Sequence, residues 1–319
     1  MSNDKRFTDK WLGGDTNAVM TELARQLGGE DQLRRFQKGR ITIVPQEVRK
    51  TLFTRRGFRI QRDIESKTRD PHRNYCLEQP TFGGGRGYVA AADRFQDATG
   101  NLPARIFGGF NISQFCKEAE RLVCLLGQNA QTKNILNGVW LPICLPKLEL
   151  EDIREATGFY IQAVIQAYKN AFPNRKFRNR LDRDADVCLW PETGQEELIK
   201  LMRQGPVIGL YFPSALQGFS VHAQIEQMED LPQGFYLSGL DTFIAMAMYI
   251  ETMARDYHTP NMNLSGLYIP CLEKDRLLNT FVRQSLLFTT SEDDLSLSTC
   301  TELAVADSMV SGGLFFCKP

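Results

Sequence analysis

The spacing of apolar residues changes character along the chain. In residues 17–28, NAVMTELARQLG, Val19, Leu23 and Leu27 recur four apart, which predicts a helix stopped by the following glycine pair. EDQLRRFQ predicts a second short helix ending at Gly39, and ITIV and GFRIQ predict strands joined by a charged connection. Periodicity then fades. Pro71, Pro80 and Pro103, with the cluster Gly83, Gly84, Gly85 and Gly87, mark residues 63–105 as loop.

Past residue 105 the pattern becomes regular. NISQFCKEAERLVCLLG aligns Ile112, Phe115, Cys116, Ala119, Leu122, Val123 and Leu126 on one helical face, closed by Gly127. VWLPICL predicts a strand. Pro142 assigns it an edge, because proline has no N–H to donate to a neighbour. LEDIREATGFYIQAVIQAYKNAF predicts a long helix stopped by Pro173. After it come a strand DVCLW, a helix GQEELIKLMRQ, a strand VIGLYF, a short extended GFSVH, a strand GFYLS, a helix DTFIAMAMYIETMARDY and the strands GLYIP and GLFF. The helix after SGLD is apolar on nearly every side, which predicts burial. Asp241 is its expected N-cap, and Met246, Met248 and Met253 are expected to fill gaps in the core.

Alternating helices and strands must bury their apolar faces on one another, so the fold class expected is α/β (or α+β), a mixed sheet layered with helices. The expected division is a smaller basic N-terminal region at 1–105, with a helical start, short strands and a Gly-rich loop, and a mixed α/β domain at 106–319.

Composition sharpens this picture at few points. The 319 residues are 42 % hydrophobic, enough for a sizeable globular core. The 38 basic and 38 acidic residues cancel overall but not locally. RRFQKGRITIVPQEVRKTLFTRRGFRIQR, from Arg34 to Arg62, holds ten basic residues and one acid, Glu47. From Ile225 to Pro319 there are 13 acids and 5 bases. The basic stretch reads as a polyanion footprint, with nucleic acid the first partner to consider. Arg34, Arg35, Arg55, Arg56 and Arg59 would displace counterions, and Phe36, Phe53 and Phe58 would stack on unpaired bases. The competing reading makes those phenylalanines core, with the arginines either a solvated face or docked on the acidic C-terminal part. NRKFRNRLDR, with Arg175, Lys176, Arg178, Arg180 and Arg183, is a second basic cluster.

The first twenty residues lack the apolar run of a secretory signal. The longest strongly apolar stretch, Leu240 to Ile250, falls short of the about 20 residues a membrane span needs. A soluble, cytoplasmic protein with no membrane partner is expected. None of the eight cysteines has C-x-x-C spacing, and most have apolar neighbours, which points to reduced thiols packed as small hydrophobes.

Candidate chemistry is sparse. The glycine cluster lacks the Lys-Ser or Lys-Thr of a P-loop. Gly85, Gly87 and Ala90 match the G-x-G-x-x-A of a dinucleotide-binding turn, but Pro80 interrupts what precedes and no acid follows at the ribose distance, so a loop is expected. Ser220 and His222 would share a face of a strand. Their side chains would then stand about 7 Å apart, too far for a base to take a hydroxyl proton. If a helix carries His222 and Glu226, these meet at i, i+4, and Asp256 and His258 would complete a metal site with open positions. The alternative to a binding protein is thus an enzyme, metal-dependent or hydrolase-like, with a pocket near Ser220, His222, Asp241, Asp256 and His258. A scaffold held by its acidic C-terminal face is a third reading.

The pieces YFP…LQGFS, LP.GF.LSG.DT and ARDY.TP within residues 205–267, with the closing SGGLFF, resemble a family of uncharacterised bacterial proteins. The resemblance implies a bacterial source and a cytoplasmic setting, and carries no activity, cofactor or catalytic residue.

Overall fold

The computed structural model describes residue 31 and residues 51–62, 65–82, 85–99, 111–182, 185–274 and 279–318. The chain divides into two units, Met1–Arg49 and Lys50–Pro319, and the fold below is that of the second. Apart from Asp31, which is helical, the predicted elements before residue 51 lie outside the described residues.

Among the described residues of this unit, seven α-helices and ten strands follow in order. These are α1 (Gly85–Thr99), α2 (Ile112–Gln128), β1 (Leu141–Leu145), α3 (Ile153–Ala171), β2 (Lys176–Asn179), β3 (Cys188–Leu189), α4 (Gln195–Gln204), β4 (Val207–Phe212) and α5 (Val221–Glu226). Then come β5 (Phe235–Leu237), α6 (Leu240–Met248), α7 (Ile250–Met253), β6 (Asn261–Lys274), β7 (Asn279–Thr290), β8 (Asp294–Cys300), β9 (Val310–Gly312) and β10 (Leu314–Phe316). One sheet is antiparallel, ordered β1-β4-β10-β5. The other is mixed, ordered β2-β8-β7-β6-β3, with β2 parallel to β8 and β9 parallel to β6. The α/β class with sheets layered by helices is therefore what the sequence pattern implied.

The antiparallel sheet is covered on both faces, and its strands sort their side chains with period two. Tyr211, Tyr236 and Phe315 enter the larger core, where α1, α3 and α6 pack on one another. Their neighbours Leu210, Phe212, Phe235, Leu237, Leu314 and Phe316 enter a second core. Leu122 and Leu126 of α2 close it together with Leu52 and Phe53 from the start of the unit. Gly209 in β4 admits this packing, because a Cβ there would overlap the Phe315 ring.

β1 is an edge strand, as Pro142 required. α6 is buried along its whole length, and Met246, Met248 and Met253 are all core. Three expectations are corrected. The glycine-rich span is no loop from Gly85 onward but opens α1, whose Ala91, Ala92 and Phe95 are buried against the larger core. GFSVH is not extended, because Ser220 caps a helix that begins at Val221. Asp241 is not the N-cap of α6, because Gly239 holds that place and Asp241 sits within the first turn, its side chain accepting from the Gly239 N–H. Within the basic NRKFRNR run, β2 packs Phe177 inward and leaves Lys176 and Arg178 exposed. All eight cysteines are free, Cys144 and Cys317 buried, Cys76 and Cys124 exposed. No described helix is long and apolar enough to cross a membrane.

Candidate binding cleft

Residues 52–60 fold back on themselves. Phe53 bridges Arg59 in antiparallel sense, the N–H of Ile60 donates to the Leu52 carbonyl (2.9 Å) and that of Thr54 to Phe58 (2.8 Å). The Thr54 hydroxyl accepts from the N–H groups of Arg56 (3.3 Å) and Phe58 (3.2 Å), closing a tight turn that carries Arg55 and Arg56 outward. Gly57 takes φ +83°, and a Cβ on it would overlap the backbone of Gly138. Only glycine suits both demands. The turn therefore rests directly on the end of the 3₁₀ helix Lys133–Asn137.

Opposite the turn runs residues 66–80. This segment follows the chain from 214 to 220: Arg69 donates to Gly218 (2.8 Å), and Ser220 donates to Lys67 (3.1 Å). The Gln217 amide, buried, donates to the carbonyls of Tyr75 (3.0 Å) and Ser308 (3.1 Å). At the far end Gln79 exchanges two hydrogen bonds with the Trp140 backbone (2.8 and 2.9 Å).

Between turn and segment lies a cleft of about 390 Å³. Arg56 and Phe58 line one side, and His72, Arg73, Tyr75 and Cys76 the other. The floor is apolar, from Ile135, Val139 and Phe212. Arg56, His72 and Arg73 are exposed, and neither arginine forms an ion pair among the described residues. Among the described residues, no aspartate or glutamate lines the cleft. Other hollows mix their charges: Arg94 faces one with Asp97 and Glu251, and Arg121 another with Glu118. A one-signed, partly apolar hollow is suited to an anion with a hydrophobic body.

No family model, curated protein or solved structure matches this chain.

Of the predicted polyanion residues, Arg34 and Arg35 lie outside the described residues. Arg55 and Arg56 are exposed at the turn, Arg56 facing the cleft. Arg59 points the other way. It is 4 % exposed, paired with Asp230, and donates to the carbonyls of Leu52 (3.0 Å) and Ile60 (2.9 Å). Arg62 pairs with Glu229. Part of the basic stretch is thus neutralised by the acidic C-terminal part. Phe53 is core, as the competing reading had it, Phe58 lines the cleft, and Phe36 lies outside the described residues.

The enzyme-like constellation is not assembled. The Ser220 hydroxyl is buried and accepts from the Ala223 N–H (3.2 Å), as a cap does. His222 stands exposed in the first turn of α5, its ring 6.3 Å from that of Trp190. Asp241 is fully buried. Its Oδ1 accepts from the N–H of Gly239 (2.9 Å), which is the N-cap residue itself, and from Gln195 Nε2 (2.9 Å). Burial raises the Asp241 pKa from 3.8 to about 7 against the pull of Gln195 and the backbone N–H groups. Of the metal candidates, Glu226 follows His222 on α5 and accepts from the Ser66 hydroxyl (2.7 Å). Asp256 pairs with Arg255 and accepts from the His258 N–H (2.9 Å). Among the described residues no three His, Cys, Asp or Glu side chains gather as metal ligands. Gly85, Gly87 and Ala90 lie inside α1, where no described strand precedes them, so the dinucleotide-turn reading fails.

Sequence reasoning passed over Arg73, Tyr75 and Cys76. The available signal was basic and aromatic residues interleaved in PHRNYC, a stretch without periodicity between Pro71 and Pro80.

Proposed function

We propose that this chain is a binding protein for small organic anions, and that the cleft between the Thr54–Phe58 turn and residues 71–79 is its site. The observation that carries the reading is the charge of the lining: Arg56 and Arg73 share the cleft with apolar Ile135, Val139 and Phe212, and no described carboxylate lines it. A guanidinium offers paired N–H donors to a carboxylate, phosphate or sulfonate, and the low-dielectric walls strengthen that attraction. A long polyanion track is less favoured, because Arg59 and Arg62 are already held by Asp230 and Glu229. An enzyme is less favoured, because Ser220 is occupied as a cap and the metal candidates are not gathered.

Cys76 provides a local reporter, since it is exposed and lines the cleft. In a Cys124→Ser background, which removes the other exposed thiol, Cys76 is titrated with a dianionic aromatic disulfide, 5,5′-dithiobis(2-nitrobenzoate), and with neutral 4,4′-dithiodipyridine. The anionic reagent is expected to react faster relative to the neutral one than it does with a small free thiol. Arg56→Glu with Arg73→Glu should lower that preference at least about tenfold, and added salt should erode it. A preference unchanged by the double reversal would overturn the proposal.

A further inference from the structure

The geometry points to a nucleotide unit as the anion this cleft takes, an inference that rests on the anion-binding reading above. Three features of the lining divide the work as a nucleotide would need. Arg56 and Arg73 supply the phosphate contacts. Phe58 and Tyr75, both half-buried, offer ring surface inside the same cleft. Asn137 and Ser214 also line it, and their side chains make no hydrogen bond with any described residue, which leaves an amide and a hydroxyl free for a base edge or a sugar hydroxyl.

The aromatic surface does not end at the cleft. Tyr75 meets the ring of His72 edge-on at 5.2 Å and that of His258 at 6.0 Å. His258 in turn lies 3.9 Å from Tyr257, which is 45 % exposed. A base can stack on a single ring face, because every base presents a π-face whatever its identity, and Phe58 and Tyr75 place such rings in the same cleft as the two arginines. The volume, about 390 Å³, is at the small end for organic ligands and suits one nucleotide rather than several. The unit is either a free nucleoside phosphate or the terminal nucleotide of a single strand, and the chemistry of recognition is the same for both.

The test is calorimetric titration of the full chain with adenosine 5′-monophosphate, ribose 5-phosphate, adenosine and a 5′-phosphorylated deoxyadenosine hexamer. Adenosine monophosphate is expected to bind at least about tenfold more tightly than ribose 5-phosphate or adenosine, since only it engages both the guanidinium pair and the rings. Tyr75→Ala should abolish its advantage over ribose 5-phosphate, and Tyr75→Phe, which keeps the ring, should preserve it. Phe58→Ala gives the same reading on the other wall if Tyr75→Ala fails to fold. A hexamer that matches or exceeds the mononucleotide identifies a strand end as the ligand, and a weaker hexamer identifies the free nucleotide. Equal affinity for adenosine monophosphate and ribose 5-phosphate, or no binding of either while the disulfide reagents still discriminate by charge, overturns the nucleotide inference and leaves the anion cleft standing. Loss of the charge discrimination as well removes both.

Discussion

A guanidinium taken out of water must be surrounded by acceptors, and Arg59 is placed where that can happen. Its two Nη groups reach two backbone carbonyls and the Asp230 carboxylate, its Nε finds no acceptor among the described residues, and the guanidinium carbon lies 6.0 Å from the centre of the Phe53 ring. Burial lowers its pKa and Asp230 opposes the shift, so the charge is kept at a cost that its partners offset. The residue ties the 52–60 hairpin to the chain near 230 and to the Ala215 carbonyl, and thereby sets the wall of the cleft. Arg59→Met should destabilise the protein by about 1.5–3 kcal/mol, the range for hydrogen bonds to a charged group. Arg55→Met, at an exposed position four residues earlier, should stay within about 0.5 kcal/mol. Asp230→Asn should fall between, because Asp230 is 39 % exposed and water screens its charge. Urea unfolding midpoints for the three variants order them. An Arg59 variant as stable as the Arg55 variant would remove Arg59 from this role.

Among the elements, those whose apolar residues form a clear run or face were legible in the sequence. β4 runs over the VIGLYF segment, α2 buries Phe115, Ala119, Leu122 and Leu126 as its spacing required, and α6 is apolar all round and fully enclosed. What failed was local pattern overridden by packing. Four glycines and a proline mark residues 80–87 as loop, yet Ala91, Ala92 and Phe95 give the next turns a face worth burying, and α1 forms. β8 carries a period-two signal, but only Leu295 and Leu297 face inward among polar residues, too few for the alternation to stand out. The cleft was illegible for a different reason. It joins Arg56, Arg73 and Asn137 through contacts remote in sequence, and no linear pattern reports those. Asp241 was legible as a residue at a helix start but not as a buried acid, since the sequence does not say what covers it. That burial has a consequence. The folded pKa of about 7 exceeds the ordinary 3.8, so the folded state holds this proton more tightly than the unfolded chain. The contribution to stability is full below about pH 4 and is lost as pH rises to about 7, each pH unit across that window removing about 1.4 kcal/mol. The groups that feel its charge, Tyr211 and Cys317, are themselves kept protonated by burial. Asp241→Asn mimics the protonated acid. It should stabilise the protein by a few kcal/mol above about pH 7 and by little near pH 4. A wild-type and variant difference that does not change with pH would show that the carboxyl is not titrating in this window.

At the scale of the molecule, the opposed charges of the two ends have a structural counterpart. Arg59 and Arg62, from the basic stretch, are ion-paired to Asp230 and Glu229, from the acidic one. Leu52 and Phe53 complete a core whose other members come from α2, β4, β5 and β10. The same segment cannot be removed without uncovering the second face of the antiparallel sheet. Phe53 alone, fully buried, represents about 1.5–3 kcal/mol of apolar burial. Farther on, Ala91, Ala92 and Phe95 of α1 are buried in the larger core. The compositional boundary near residue 105 and the division after Arg49 therefore lead to different expectations for truncation. A chain beginning at Lys50 should unfold cooperatively, with a midpoint within a few degrees of the full chain. One beginning at residue 63 should lose several degrees, since a loss of 1 kcal/mol shifts a domain of this size by about 2–4 °C. One beginning at residue 106 lacks α1 as well and should expose enough apolar surface to bind a hydrophobic dye and aggregate. Thermal unfolding of the three truncations, followed by circular dichroism, checks the order. Full stability in the chain that begins at residue 106 would mean that residues 51–99 are an appendage rather than part of the core, and that the cleft they wall is not built into the fold.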